Sequence, residues 1–174
     1  FSMSPCEPAG EAEDDAAAAE RWHAFVNLWH LEPALRGRYP EAFADGLPLD
    51  HMGIRDGDLD RVKAPLDFIG INLYMRTRVT HSDTAGWGIR AQPIGMGGDE
   101  GPRTDFGWEV WPKALCDMVM RITRDYDTPV IEITENGCSY ADGPDKDGVI
   151  RDGRRIAFFR GFLCELARAI EEGA

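Results

Sequence analysis

The sequence lacks the signals that mark membrane proteins and nucleic-acid-binding proteins. No apolar run approaches the roughly 18 residues that a membrane-spanning helix needs. Lysines and arginines number 19 against 31 aspartates and glutamates, for a formal net charge of −12. Nucleic acids and anionic membranes are bound through clustered basic side chains. We therefore expect neither of them as a partner.

Paired cysteines are also missing, which bears on metals and on cellular compartment. The four cysteines, Cys6, Cys116, Cys138 and Cys164, form no C-x-x-C pair, which argues against a zinc site and against a disulfide scaffold. They are typical of reduced thiols. The four histidines have no metal-ligand spacing, and we expect no metal and no organic cofactor. With no visible secretory signal after Phe1, a cytoplasmic protein is predicted.

Motifs of several common enzyme classes are absent as well. The glycine-rich stretch contains neither a phosphate-binding G-x-x-x-x-G-K-[ST] nor a G-x-G-x-x-G that follows a strand. A G-x-S-x-G elbow with Ser, His and acid partners is missing, which weakens the alternative of a serine-dependent α/β hydrolase. A calcium-loop-like turn near Asp145 has Gly143 and Arg154 at two ligand positions and is predicted to be a surface turn.

Three amphipathic helices are predicted from apolar residues spaced three and four apart. The stripe of the first helix consists of Trp22, Phe25, Val26 and Trp29. We expect Pro33 and Gly37 to interrupt that helix. Pro112 opens the second helix, whose apolar face is Leu115, Met118, Val119 and Ile122. The stripe of the last helix consists of Ile156, Phe159, Leu163, Leu166 and Ile170.

Two buried strands alternate with these helices. One is predicted over residues 66–74, and the other follows Pro129 and ends at Glu135. Residues 81–107 show no periodicity and are expected to form a long glycine-rich loop. Helices that alternate with strands indicate βα units around a parallel sheet. The predicted fold class is α/β, with one domain over residues 1–174.

Polar side chains follow both predicted strands, at the edge where parallel βα proteins gather functional groups. Asn72 and Tyr74 share one face of the first strand, and Glu135 ends the second, before Asn136 and Gly137. A tyrosine can orient a carboxylate that acts as a nucleophile. Taken alone, these residues also fit a solvated loop acid and two structural hydrogen-bonding groups.

Four segments carry a resemblance to a known family. Residues 133–137 read Ile-Thr-Glu-Asn-Gly and residues 67–74 read Asp-Phe-Ile-Gly-Ile-Asn-Leu-Tyr. Residues 105–112 read Asp-Phe-Gly-Trp-Glu-Val-Trp-Pro, and residues 31–40 end in Gly-Arg-Tyr-Pro. Each resembles a motif of glycoside hydrolase family 1, the β-glucosidase and β-galactosidase family. The four occur in the family's order.

The resemblance implies a (β/α)8 TIM barrel, of which this chain holds the stretch from about strand five to helix seven. It implies that Glu135 is the catalytic nucleophile and that Tyr74 donates a hydrogen bond to it. Asn72 would bind the sugar, and Trp108 would form a wall on the leaving-group side. Leu73 stands where the family usually has tyrosine. The implied partner is a small β-glycoside.

A retaining glycosidase also needs a second carboxyl group, and its family motif, N-E-P, does not occur in the sequence. Strand alternation places Glu132 on the face opposite Glu135, so it is not expected to substitute. The expected function is retaining hydrolysis of terminal β-glucosides through a glycosyl-enzyme on Glu135. The alternative is a truncated, non-catalytic piece that binds sugar weakly, associates with itself or pairs with the missing part of the barrel.

Overall fold

A computed structural model describes residues 1–47, 49–95, 97–98, 101–127 and 130–174. The strands are β1 (Ser2–Met3), β2 (Cys6–Pro8), β3 (Phe68–Leu73), β4 (Thr77–His81), β5 (Ala91–Ile94) and β6 (Val130–Glu135). The α-helices are α1 (Glu13–His23), α2 (Trp29–Arg36), α3 (Leu49–Met52), α4 (Asp58–Val62), α5 (Lys113–Asp125) and α6 (Gly153–Glu171). A π-helical segment, Ala24–Leu28, joins α1 to α2, and a short 3₁₀ turn covers Gly86–Gly88. Pro129, expected before β6, lies outside the described residues.

The main sheet has the order β1-β3-β6, and both pairs of strands are parallel. Along β3 the side chains of Ile69, Ile71 and Leu73, which face the helices, are fully buried, as the alternation predicts. Helix α5 covers this face with its predicted apolar side, the buried residues Leu115, Met118, Val119 and Ile122. Phe68, on the opposite face of β3, is 49% exposed. The sheet is therefore a strip of barrel wall with helices on its outer side, which is a partial (β/α)8 barrel.

The first helix runs further than predicted. The helical path continues through α1, the π-helical segment and α2, past Pro33 to Arg36. The predicted interruption at Pro33 is wrong. Proline removes one backbone N–H donor, but its fixed φ is compatible with a helix, so the helix continues past it. Gly37 ends the helix as predicted, since its φ of 68° is left-handed and its N–H donates to the carbonyl of Pro33 at 3.0 Å.

The prediction of one long loop over residues 81–107 is wrong in part. Strands β4 and β5 form an antiparallel pair, and β2 adds to β4 in parallel to give a second three-stranded sheet. In β4 only Val79 is fully buried, and β5 carries a proline at Pro93. These strands lack the apolar alternation by which strands are recognised in a sequence. Residues 96 and 99–100 of this stretch lie outside the described part.

The buried side of α6 also differs from the prediction. Phe158, Phe162 and Ala169 are buried. Of the predicted stripe, only Leu166 packs against the core; the members more than one-third exposed are Ile156, Phe159, Leu163 and Ile170. The helix is apolar on two sides, so periodicity alone could not select the buried one. Gly161 allows close packing, because a Cβ there would lie 2.9 Å from the ring of Pro112.

Two expectations concern the chain as a whole. All four cysteines are free; Cys6 and Cys116 are buried, and Cys164 is exposed. Over the described ranges, no helix combines the length and apolar character needed to cross a membrane. The same ranges contain no group of three or more His, Cys, Asp or Glu side chains placed to hold a metal ion.

Candidate active site

The carboxyl ends of β3 and β6 bring three of the predicted site residues together. The two strands pair in register from Phe68 with Val130 as far as Ile71 with Ile133, and the register then shifts so that Asn72 pairs with Glu135. This bulge places two residues of β6 opposite one residue of β3. As a result, Thr134 and Glu135 both contact side chains of β3 and of the residues just after it.

Tyr74 and Glu135 are directly bonded. The Tyr74 hydroxyl donates a hydrogen bond to Oε2 of Glu135. This bond is the main reason why the pKa of Tyr74 is raised above its ordinary value, and partial burial and the carboxylate charge act in the same direction. A raised pKa keeps the phenol protonated, so it remains a donor to the carboxylate. Glu135 is itself exposed and open to a ligand.

The amide side chains beside this pair connect the two strands. Thr134 Oγ1 donates to Oδ1 of Asn72 at 2.6 Å, and Asn136 Nδ2 donates to the carbonyl of Leu73 at 2.8 Å. Because Oδ1 of Asn72 accepts from Thr134, its Nδ2 is oriented as a donor group. Asn136 fixes the turn after β6 against the end of β3. Sequence reasoning identified Asn136 only as a neighbour of Glu135.

The predicted direction of the Glu132 side chain is wrong, although Glu132 is still not expected to act as the second carboxyl group. Ile131 and Ile133 pack against the helical core, and Glu132 between them pairs with Gly70 and is exposed on the other face. Because of the bulge, Glu135 bonds to Tyr74 on that same face. Strict alternation from Glu132 does not hold across a register shift. Distance, rather than direction, separates the two carboxylates, since three strand residues rise about 10 Å.

Trp108 lies beside Tyr74. Their ring centroids are 5.4 Å apart and the rings are tilted by 52°. A tight turn holds Trp108, because the N–H of Thr104 donates to the carbonyl of Trp108 at 2.8 Å and the N–H of Trp108 donates to Oγ1 of Thr104 at 3.2 Å. Gly107 takes the left-handed φ of 82° that this turn requires. The structure thus brings all four predicted site residues to one edge.

A buried charged cluster behind the site was missed by sequence reasoning. The guanidinium of Arg76 binds both carboxylate oxygens of Glu109, at 2.8 and 3.1 Å, and binds Glu7 at 2.7 Å. Glu109 is fully buried, Arg76 is 2% exposed, and the guanidinium lies 3.6 Å from the centroid of the Trp111 ring. Glu109 belongs to the motif at residues 105–112, and this is the only sign of the cluster in the sequence. Its partner lies 33 residues earlier in the chain.

These features define a class of protein, namely part of a parallel (β/α) barrel with a tyrosine-bonded carboxylate at the carboxyl ends of two strands. A model of the family described as Glycosyl hydrolase family 1 matches residues 1–174. The chain belongs to glycosyl hydrolase family 1, which confirms the resemblance seen in the four motifs.

The relatives place the chain within longer proteins. Beta-glucosidase A of Acetivibrio thermocellus is 33% identical over 171 residues, which cover 95% of this chain and 37% of that protein. The solved family 1 β-glucosidase from Thermotoga maritima in complex with isofagomine lactam is 29% identical, with a TM-score of 0.85 over 99% of this chain and 38% of that one. Virulence factor SghA, solved with its substrate analogue salicin, is 28% identical with a TM-score of 0.87, over 99% and 38%. The chain thus spans under two fifths of each relative's length.

Proposed function

We propose that this chain supplies the nucleophile half of a retaining β-glycosidase site, and that the substrate is a terminal β-linked glucoside. The observation that carries the proposal is the hydrogen bond from Tyr74 to Glu135, at the edge where parallel barrels hold their active sites. An exposed carboxylate with a neutral donor on one oxygen keeps lone pairs for attack on an anomeric carbon. Glu135 is the proposed nucleophile.

In the proposed reaction, the carboxylate of Glu135 forms a bond to the anomeric carbon while the bond from that carbon to the leaving oxygen breaks. Water then hydrolyses the glycosyl-enzyme, which releases the sugar with overall retention of configuration and frees the carboxylate of Glu135. Tyr74 orients the attacking carboxylate, Asn72 donates to a sugar hydroxyl, and Trp108 supports the leaving group. Protonation of the leaving oxygen requires a second carboxyl group about 5–5.5 Å away, closer than Glu132 lies. That group is proposed to come from outside these 174 residues.

The choice of a glucoside rests on the relatives. The protein from Acetivibrio thermocellus is named a beta-glucosidase, and salicin is described as a substrate analogue of SghA. Inhibitor-bound relatives likewise support a small sugar-like ligand. The four free cysteines fit a reducing compartment, and a cytoplasmic location forms part of the proposal.

The test is covalent trapping of the chain. We would incubate it with 2,4-dinitrophenyl 2-deoxy-2-fluoro-β-glucoside, whose leaving group departs without help from an acid, and measure intact mass. The expected result is a gain of one fluoroglucosyl group, located by peptide mapping on Glu135. A modification mapped to another residue, or no modification of the folded chain, would contradict the proposal that these residues assemble a working nucleophile site.

A second candidate function is a non-catalytic module that pairs with the rest of a barrel or with another copy. The exposed side of α6 favours it, because Ile156, Leu163 and Ile170 are each more than 60% exposed. Strands β1 and β6 are also the two edges of the main sheet. Sedimentation of the chain tests self-association, with Leu163→Lys as the interface variant. This candidate predicts oligomers that the variant disperses; a monomer in both cases rules out self-association.

A further inference from the structure

We propose that Arg154 is a positioning residue for the proposed reaction, and that it holds the turn carrying Trp108 in place against the loop that follows Glu135. The inference rests on the proposed function, because it gives Arg154 a role only if Glu135 attacks and Trp108 supports the leaving group. Its starting observation is that one guanidinium binds carboxylates from two separate segments. Arg154 binds Asp142 at 2.6 and 2.9 Å and Asp105 at 3.1 Å.

Asp105 attaches the turn that carries Trp108 to the loop after the proposed nucleophile. The N–H of Asp105 donates to the carbonyl of Ser139 at 2.9 Å, and its carboxylate accepts the N–H of Ala141 at 2.5 Å. Ser139 comes four residues after Glu135. Because Asp105 and Trp108 lie in the same closed turn, a displacement of Asp105 would move the indole ring relative to Glu135.

Asp142 is the second acid of the bridge and belongs to the loop itself. The hydrogen bond from Arg154 is the main reason why the pKa of Asp142 lies below its ordinary value. The pKa of Asp105 is also lowered, chiefly by the N–H of Ala141 and in addition by Arg154. Both carboxylates are thus charged at neutral pH, and without the guanidinium they would repel each other across the gap between turn and loop. Arg154 replaces this repulsion by the attraction of both acids to one cation.

The guanidinium is anchored by a helix that is packed into the core. Arg154 lies in the first turn of α6, and Phe158, one turn later, is buried and stacks on Phe162 with ring centroids 4.4 Å apart. The guanidinium also lies 4.3 Å from the centroid of the Tyr140 ring, two residues before Asp142. A planar fork that is anchored in this way loses little freedom when it binds two carboxylates.

The exposure of the bridge separates positioning from stability. The side chains of Asp142, Asp105 and Arg154 are 32, 37 and 49% exposed. Ion pairs this exposed contribute little to the free energy of unfolding. Arg154→Met removes the charge and keeps an unbranched apolar stem, so its urea midpoint should stay close to that of wild type. The expected change is in the placement of the Trp108 ring.

The experiment compares two trapping reagents that differ only in the leaving group. The leaving group of 2,4-dinitrophenyl 2-deoxy-2-fluoro-β-glucoside is a ring that would meet Trp108, whereas 2-deoxy-2-fluoro-β-glucosyl fluoride releases only fluoride. Intact mass over time gives a maximal trapping rate and a half-saturating concentration for each reagent. In Arg154→Met, the half-saturating concentration of the dinitrophenyl reagent should rise by about three- to tenfold at an unchanged maximal rate. Both constants of the fluoride should stay at their wild-type values.

The control variant is Arg168→Met, which removes a guanidinium that binds Glu165 and Glu172 within the same helix. It should leave the constants of both reagents unchanged. The inference is overturned if Arg154→Met is trapped by the dinitrophenyl reagent as wild type is, or if its affinity for both reagents falls equally, which would make Arg154 a general structural support. If neither reagent traps wild type, the proposed function itself fails and this inference fails with it. Trapping of wild type with no selective effect of Arg154→Met overturns the inference alone.

Discussion

Two glutamates lie close to the aromatic site, and their surroundings differ in almost every respect. Glu135 is exposed and accepts a hydrogen bond from the neutral phenol of Tyr74. Glu109 is fully buried and is bound by both arms of the Arg76 guanidinium and, at 2.7 Å, by the N–H of Gly98. The same side chain type therefore occurs once as an accessible carboxylate and once as half of an internal ion pair.

The difference shows which property makes a carboxylate chemically useful. A buried carboxylate is tolerated only when cations and N–H groups compensate it, and that compensation occupies its lone pairs. Through Arg76, Glu109 therefore connects the link between β3 and β4 to the segment that carries Trp108. A carboxylate that must attack needs open space and a partner that orients it without cancelling its charge, which is the arrangement of Tyr74 and Glu135.

The largest expected effect comes from removing the carboxylate of Glu135, the accessible glutamate. Glu135→Gln should abolish trapping by the fluoroglucoside, because an amide cannot form the glycosyl ester. Glu132→Gln is the matched control, since it removes an exposed carboxylate three residues earlier on the same strand. It should keep the wild-type rate, measured by intact mass over time. Trapping that persists in Glu135→Gln, with circular dichroism unchanged, would remove Glu135 from the proposed role.

Glu109, the buried glutamate, should instead contribute to the free energy of unfolding. Glu109→Ala leaves the guanidinium of Arg76 buried beside a lost partner, and the unfolding free energy should fall by about 3–5 kcal/mol. The control is Asp117→Ala, which breaks the Lys113–Asp117 pair in which the lysine is 55% exposed, and should cost about 0.5 kcal/mol or less. Urea denaturation measures both. Equal losses would mean that burial does not distinguish the two ion pairs.

Much of this contrast could be predicted from the sequence. The features that could not be predicted were missed for physical reasons. The alternation of Ile69, Ile71 and Leu73 correctly placed β3, and its polar face correctly brought Tyr74 near Glu135. The direction of Glu132 could not be predicted, because a bulge leaves no mark on a pattern read two residues at a time.

Two other features depend on contacts between distant parts of the chain. The partnership of Arg76 with Glu109 joins residues 33 positions apart, and each is an ordinary charged residue in the sequence. The buried side of α6 was misjudged because Phe158 and Phe162 compete with an equally apolar stripe on the same helix. Only the packing of α6 against α5 selects between them.

A third ionisable group extends the comparison to pH. Burial, together with the nearby charge of Arg121, lowers the pKa of His23 from 6.5 to about 4. The unfolded chain therefore binds a proton between these values when the folded chain does not, so the unfolding free energy should fall as pH drops through that window. The contribution of His23 is about 3 kcal/mol. In His23→Gln, the unfolding free energy measured by urea denaturation should fall less steeply between these pH values. If it falls as steeply as in wild type, the pH dependence comes from other groups.

The smallest expected effect concerns the partner of the accessible carboxylate. Tyr74→Phe keeps the ring against Trp108 but removes the hydroxyl that orients Glu135, and hydrogen bonds to charged groups contribute enough to slow trapping roughly tenfold. Because the pKa of Tyr74 is raised, the hydroxyl stays protonated and the slowing should be constant from about pH 6 to pH 9. Tyr140→Phe, which removes a hydroxyl from the tyrosine beneath Arg154, is the control. If both variants are trapped at the wild-type rate, the phenol of Tyr74 is a structural contact, and the orientation of Glu135 comes from the bulge alone.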